Sequence, residues 1–315
     1  MIKRIVTLSV NPAIDRTMYF DGFTAGTLNR TVKQTVVTAG SKGMNAARAI
    51  LAAGGETISV SFSGGSGGAF LESEMKREGI PSVFIPTGCG VRENIKIIDT
   101  DGTGTEANDR GGPITEAEAE RFIDAVLEHA APETLFIMSG SLPPGVPTAF
   151  YRTLCERVRE KGSLTVLDCD GEALREGITA SPHLIKPNQR ELAGFLGESI
   201  PDVAAGIRAA KKTAEVYGCQ VLLTMGEDGS VLALPEGKAI FVNTPKGVKV
   251  LGFAGAGDTY LGVYCTERYI KGMDEESAMI AAASASAAKV ETPGSLLPTG
   301  EELKKYESVL TATVV

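Results

Sequence analysis

Apolar runs of strand length recur along this chain and alternate with helical patterns, and that alternation restricts the fold more than any other feature. Residues 5–10, 57–62, 135–138, 164–167, 184–185 and 221–224 read as short, largely buried strands. Helical patterns cover 44–53, 115–130, 149–161 and 203–217. In the second of these, Thr115 and Glu118 form a capping box, and Phe122, Ala125, Val126 and His129 share a face. Strands and helices in this order predict a mostly parallel sheet with helices on both faces, an α/β architecture. Two segments break the rhythm. Residues 17–37 and 94–108 have mixed polar faces and hairpin-like turns, with no long helix beside them. They predict a small β appendage over an edge of the main sheet. The 315 residues are expected to form one unit, 1–315, with lid strands at about 16–38 and 93–109.

Composition narrows the function classes. A hydrophobic content of 43% is ample for a core of this size. The net charge is −8, from 31 basic and 39 acidic residues. A chain without a basic surplus is a poor non-specific nucleic-acid binder, yet a few local Lys and Arg residues can still hold an anionic substrate. The five cysteines are odd in number, widely spaced and free of any C-x-x-C pair. Zinc and a disulfide framework are not expected, and free thiols in a reducing cytoplasm are. Residues 1–8 run straight into a strand pattern, without the long apolar region of a signal peptide. No apolar run reaches about 18 residues, so no membrane helix is expected.

In an open α/β sheet, ligands bind beyond the carboxyl ends of the strands. The polar and glycine-rich loops there carry the candidate chemistry. Gly255-Ala256-Gly257-Asp258-Thr259-Tyr260 follows a strand-like run at 248–251 and opens a helical stretch at 261–269. Such a turn offers backbone N–H groups and a helix dipole to phosphate. An aspartate there would repel the anion, so Asp258 makes sense as the proton acceptor for an attacking hydroxyl. The plainer alternative is an aspartate capping a helix.

Asn11 and Asp15, in Asn-Pro-Ala-Ile-Asp, could hold sugar hydroxyls or simply make a polar turn. The segment 39–45 contains Gly40, Ser41, Lys42, Gly43 and Asn45, a phosphate-cradle composition without a P-loop pattern. Arg92 stands before a strand and suits bidentate phosphate binding, or is a surface charge. Asn188 and Glu191 can cap a helix or orient Mg²⁺ through its waters, with Lys186 reaching a nucleotide phosphate. Thr224, Gly226 and Gly229 suit nucleotide phosphates or ribose, or an ordinary hairpin turn before 230–234. The loop 63–68 matches the G-x-S-x-G hydrolase elbow. A serine nucleophile needs a histidine base, and neither His129 nor His183 lies in a late loop, so both read as structural.

Taken together, these segments resemble the ribokinase-like sugar kinases, the PfkB family. The resemblance rests on Thr-Leu-Ser-Val-Asn-Pro-Ala-Ile-Asp at 7–15, Leu-Asn-Arg at 28–30 and Ala-Gly-Ser-Lys-Gly-Met-Asn at 39–45. It continues through Arg-Glu-Asn-Ile-Lys-Ile at 92–97, Ser-Gly-Ser-Leu-Pro-Pro-Gly at 139–145, Lys-Pro-Asn-Gln-Arg-Glu-Leu at 186–192 and Gly-Ala-Gly-Asp at 255–258. Within the family the chain is most similar to the 1-phosphofructokinase and tagatose-6-phosphate kinase branch. The resemblance implies a three-layer α/β/α fold with a mostly parallel central sheet and a small β-sheet lid, often shared in a homodimer. It also implies ATP and Mg²⁺.

The expected activity is transfer of the γ-phosphoryl of ATP to a phosphorylated ketohexose, with fructose 1-phosphate attacking through O6. Asp258 is the expected base, and the N–H groups of Gly255, Ala256 and Gly257 steady the transferring group. Asp15, Gly40, Ser41, Lys42, Gly43, Asn45 and Asn94 are expected to line the sugar site, and Arg92, with Arg30 and Ser139, to hold its phosphate. Lys186, Asn188, Glu191, Thr224, Gly226 and Gly229 fall to the nucleotide and its metal. Alternatives are tagatose 6-phosphate, an unphosphorylated sugar or nucleoside, and a non-catalytic sugar-phosphate binder. Two positions depart from the family pattern: Ser41 replaces a glycine, and Phe253-Ala254 replaces Thr/Ser-Val. A Cβ at Ser41 is expected to crowd the sugar or alter the backbone there.

Overall fold

A computed structural model describes residues 2–252, 254–292, 294 and 296–315; Met1 and Phe253, both used above, lie outside them. The chain opens with strands β1 (Arg4–Ser9), β2 (Ala13–Phe20) and β3 (Val36–Gly40), then helix α1 (Lys42–Ala52). Next come β4 (Thr57–Ser63), α2 (Gly65–Arg77), β5 (Ser82–Pro86), β6 (Arg92–Asp99) and β7 (Gly104–Asn108). Helix α3 (Glu116–Leu127), β8 (Thr134–Ser139), α4 (Phe150–Arg159), β9 (Leu164–Asp168) and α5 (Gly171–Gly177) follow. The next elements are β10 (Leu184–Ile185), α6 (Gln189–Leu196), α7 (Val203–Tyr217), β11 (Gln220–Thr224), β12 (Ser230–Ala233) and β13 (Ala239–Val242). The chain closes with α8 (Ala256–Cys265), α9 (Glu275–Val290) and β14 (Ala312–Val314).

The large sheet has the order β14-β13-β12-β11-β10-β9-β8-β1-β4-β5. From β11 to β5 all neighbours are parallel, and β12 to β14 add an antiparallel edge. Period-2 alternation sends successive strand residues to opposite layers. Ile5, Leu135, Ile137, Val166, Leu184 and Leu222 pack under α1, α8 and α9. Val6, Leu8, Phe136, Met138, Leu167 and Leu223 pack on the other face against α3, α4 and α7. The expected three-layer α/β/α architecture is therefore present. Register aligns Ser9, Ser139 and Asp168 at one end of the sheet.

The small sheet has the order β3-β2-β6-β7, with β2 and β6 parallel and the outer pairs antiparallel. Ile14, Ala39, Met44, Ala47, Leu71 and Met75 form a separate apolar cluster that fastens this lid to α1 and α2. Residues 21–35, expected to hold strand, contain none. The capping box of Thr115 and Glu118 is formed; α3 ends at Leu127, so His129 lies beyond it.

Two expectations are corrected. The glycine run 63–68 is not a loop: α2 begins at Gly65, so Ser66 lies in a first helical turn. Residues 248–251 form no strand. Because β14 already occupies the outer edge of β13, this run finds no ladder. It leaves Val250 and Leu251 exposed at 45% and 40%. Among the described residues, no helix is long and apolar enough to cross a membrane.

Candidate active site

The site lies where the carboxyl ends of the parallel strands meet the starts of α1, α6 and α8. Gly255 adopts φ 79°, the left-handed region that favours glycine, and ends the turn just before α8. The first N–H groups of α8 have no intrahelical carbonyl to serve, which leaves them for an anion. Asp258 follows in that first turn and is buried. Its Oδ2 accepts a 2.8 Å bond from Asn45 Nδ2. Burial, reinforced by the nearby Asp168 charge and opposed by Lys42, Asn45 and Lys186, pushes its carboxyl up to about 6. A carboxylate so tuned is ionised at neutral pH yet basic enough to take a proton.

Beside it stands a buried charge cluster. Asp168, 1% exposed at the end of β9, accepts from Lys42 Nζ at 2.9 Å and pairs with Lys186 Nζ at 3.2 Å. Lys42 also lies 3.6 Å from Glu191 Oε1. Burial works against the Lys42 ammonium, but Asp168, Glu191 and Asp258 outweigh it and hold its pKa above the usual lysine value. Lys42 was expected to hold sugar; its bonds join it to Asp168 and Glu191, on the Lys186 side of the site. Asn188 and Glu191 form a complete capping box at the start of α6. Thr224 is brought beside Asn188 by an isolated parallel bridge. Gly226 and Gly229 make the turn between β11 and β12, as the plainer hairpin reading has it.

On the lid side, Asp15 in β2 is held by Lys96 Nζ at 2.6 Å and Asn94 Nδ2 at 3.0 Å. Gly40 packs against that carboxylate so closely that a Cβ would stand 2.4 Å from Asp15 Cγ. Gly43 is equally constrained, since its Cβ would meet Leu8 O at 2.3 Å. Arg92 donates from Nε to Asn11 O at 3.2 Å and from Nη1 to Asp109 O at 2.7 Å. These carbonyl bonds anchor it at the mouth of the lid; it is no loose surface charge.

Three expected residues sit differently. Arg30 is exposed between β2 and β3 and makes no bond to the cluster among the described residues. Ser139 turns its hydroxyl into the sheet, donating to Leu8 O at 3.3 Å, because it ends β8 on an inward position; Ser141 is the serine beside Asn11. Ser41 does not strain the backbone: its φ of 173° is extended, and its hydroxyl caps α1 by accepting from Met44 N. The same hydroxyl bonds Ser9 Oγ at 2.7 Å. The hydrolase reading finds no support: His183 Nε2 bonds Tyr269 Oη at 3.1 Å, and burial depresses the pKa of both histidines.

Four residues of the cluster were given no role by sequence reasoning: Lys96, Asp168, Arg48 and Lys289. Lys96 carried a usable signal, because Arg92, Asn94 and Lys96 alternate along β6 and must share a face. Lys289 gave none. It is 1% exposed on α9, donates to Gly294 O at 2.9 Å, and its Cε approaches Gly255. Burial, with Lys96 nearby, pushes it down to about 8.

A match to pfkB family carbohydrate kinase spans residues 9–300. The chain belongs to this family. It is 31% identical over 275 residues to tagatose-6-phosphate kinase of Staphylococcus epidermidis, covering 86% of this chain and 87% of that one. It is 29% identical over 255 residues to 1-phosphofructokinase of Bacillus subtilis, covering 81% and 82%. The structure of phosphofructokinase-2 from Escherichia coli in complex with potassium superposes with a TM-score of 0.89 at 26% identity, covering 98% and 99%. As a pfkB-family kinase, the protein transfers a phosphoryl group to a sugar hydroxyl, and the family implies ATP as the donor.

Proposed function

We propose that this chain is an ATP- and Mg²⁺-dependent kinase of a phosphorylated ketohexose, with fructose 1-phosphate as acceptor through O6. The observation that carries the phosphosugar reading is the row Arg92, Asn94 and Lys96 on β6 beside the sugar loop 39–45: Asn94 and Lys96 bond Asp15, and Arg92 at the start of the strand is held by the Asn11 and Asp109 carbonyls. A phosphorylated acceptor gives Arg92 an anion to bond; with a neutral sugar its hydrogen-bond partners remain the Asn11 and Asp109 carbonyls.

Asp258 takes the proton of the attacking hydroxyl. The N–H groups of Gly255, Ala256 and Gly257 bind the transferring phosphoryl, and Lys186 and Lys42 offset its charge. Among the described residues no group of three or more His, Cys, Asp or Glu side chains is set to hold a metal ion. That suits Mg²⁺, which keeps several waters and takes much of its ligation from phosphates. Glu191 has Oε2 bound by Asn188 N–H at 2.8 Å and Oε1 near Lys42, and Asp168 Oδ2 is buried without a donor. Asn188 and Glu191 would hold the hydrated ion, which supplies charge neutralisation on the phosphates.

The wholly exposed edge strand β7 supports a homodimer through the lid. The five free thiols, four of them buried, support a reducing, cytoplasmic setting.

ADP release with ATP-Mg²⁺ against fructose 1-phosphate, tagatose 6-phosphate, fructose 6-phosphate, fructose and ribose tests this reading. Preference for fructose 1-phosphate supports it. Preference for tagatose 6-phosphate, the substrate in the name of the Staphylococcus epidermidis relative, moves the protein to the sister branch. Turnover of unphosphorylated sugars alone removes Arg92 from the acceptor site. Arg92→Ala is expected to raise KM for the phosphosugar by about 10- to 100-fold with kcat nearly unchanged, the size of a charge-assisted bond. An unaltered KM would show that Arg92 serves only Asn11 and Asp109.

A further inference from the structure

Arg48 has no part in the reaction as described, yet it is buried, lies on α1, and is one residue removed from the proposed base. Its Nε and Nη2 donate to Glu78 at 2.5 and 3.3 Å, just beyond α2. Its Nη1 donates to Asn45 Oδ1 at 3.0 Å, and Asn45 Nδ2 donates to Asp258 Oδ2 at 2.8 Å. A guanidinium has only donors, and an ionised carboxylate only acceptors. The amide between them therefore has one permitted orientation. Without Arg48 only Asp258 itself would set the amide's orientation, and the Asn45 oxygen would lose its donor in this row.

We propose that Arg48, held by Glu78, is a positioning residue that locks the Asn45 amide and through it the Asp258 carboxylate. This rests on the reading of Asp258 as the proton acceptor. With Nδ2 donating to Oδ2, the charged form is favoured and the carboxylate is fixed in rotation, leaving Oδ1 for the substrate hydroxyl. The other charged groups facing Asp258 are Lys42 at the start of α1, Asp168 at the end of β9, Lys186 after β10 and Lys289 on α9. None of them bonds Arg48, although its charge, after burial and Lys96, is one of the causes that hold the Lys289 ammonium down.

The test is a double-mutant cycle in kcat, assayed with ATP-Mg²⁺ and fructose 1-phosphate, or tagatose 6-phosphate if the panel selects it. Arg48→Met is expected to lower kcat about 10-fold, with KM for ATP within about twofold, and to move the acid limb of the pH profile upward. In the Asn45→Ala background, Arg48→Met should change kcat less than about twofold, because the amide it acts through is gone. Should Arg48→Met fail to fold, Arg48→Lys replaces it in the cycle: it keeps a cation for Glu78 but lacks the fork that spans Glu78 and Asn45. Multiplicative effects in the double variant, or an acid limb that stays put, overturn the proposal. Asp258→Asn in the same assay separates the two readings: kcat retained there removes the base itself. Its loss, combined with independent effects of Arg48 and Asn45, removes only the relay.

Discussion

Asp258→Asn is expected to lower kcat by about 10²–10⁴-fold, the usual contribution of a positioned general base, while KM for ATP stays within about twofold. The amide is nearly isosteric and can still meet Asn45, so the turn at Gly255 and the start of α8 should survive; thermal unfolding close to that of the parent checks this. The parent enzyme should also show an acid limb. Burial and Asp168 push the Asp258 carboxyl up to about 6. The reactive form is the carboxylate, so kcat is at its plateau above that pH and falls as pH drops through it. An unchanged kcat in the variant, or a profile flat down to pH 5, would remove Asp258 from the chemistry.

Asp168→Ala is expected to cost roughly 3 kcal/mol of stability, because it strands the buried Lys186 ammonium and takes one of two carboxylates from the half-buried Lys42, which keeps Glu191. Denaturant unfolding should show the midpoint fall with the slope retained. The sign of the pH dependence follows from the same pairings. Burial by itself would raise the Asp168 carboxyl, but Lys186 and Lys42 outweigh it and hold it below the usual carboxylate range. Its stabilisation is therefore present above the unfolded carboxylate value near pH 4 and is lost as pH falls toward the depressed folded one. Asp168→Asn adds a second readout. Removing a negative neighbour takes away one cause of the raised Asp258 value, so the acid limb of kcat should move down in pH. Unaltered stability in the alanine variant would mean the two lysines find other partners.

Local pattern carried far in this chain. The strand and helix periods of 135–138, 184–185 and 203–217 fall within two residues of β8, β10 and α7. The capping boxes at Thr115 and Asn188 formed because each involves residues only three apart. The turn at Gly255 was legible for the same reason: a glycine that must take positive φ before a helix leaves a mark in the sequence. Reading went wrong where identity and environment part company. Residues 248–251 have strand composition, but a strand needs an edge, and β14 holds that edge. Ser41 was expected to crowd the sugar or alter the backbone; its backbone is extended, and its bonds to Met44 and Ser9 make it a cap.

The sequence by itself determined the alternating architecture, the loops that gather at one end of the sheet and the residues that can accept a proton or meet a phosphate there, because periodicity, capping and turn chemistry act over a few residues. Only the tertiary structure decided which charges share a site. Asp168 joins Lys42 across 126 positions, Asn45 joins Asp258 across 213, and Lys96 joins Asp15 across 81. Partners so far apart are brought together by sheet order and helix packing, and their pKa values depend on burial and neighbouring charge, which no local stretch of sequence encodes.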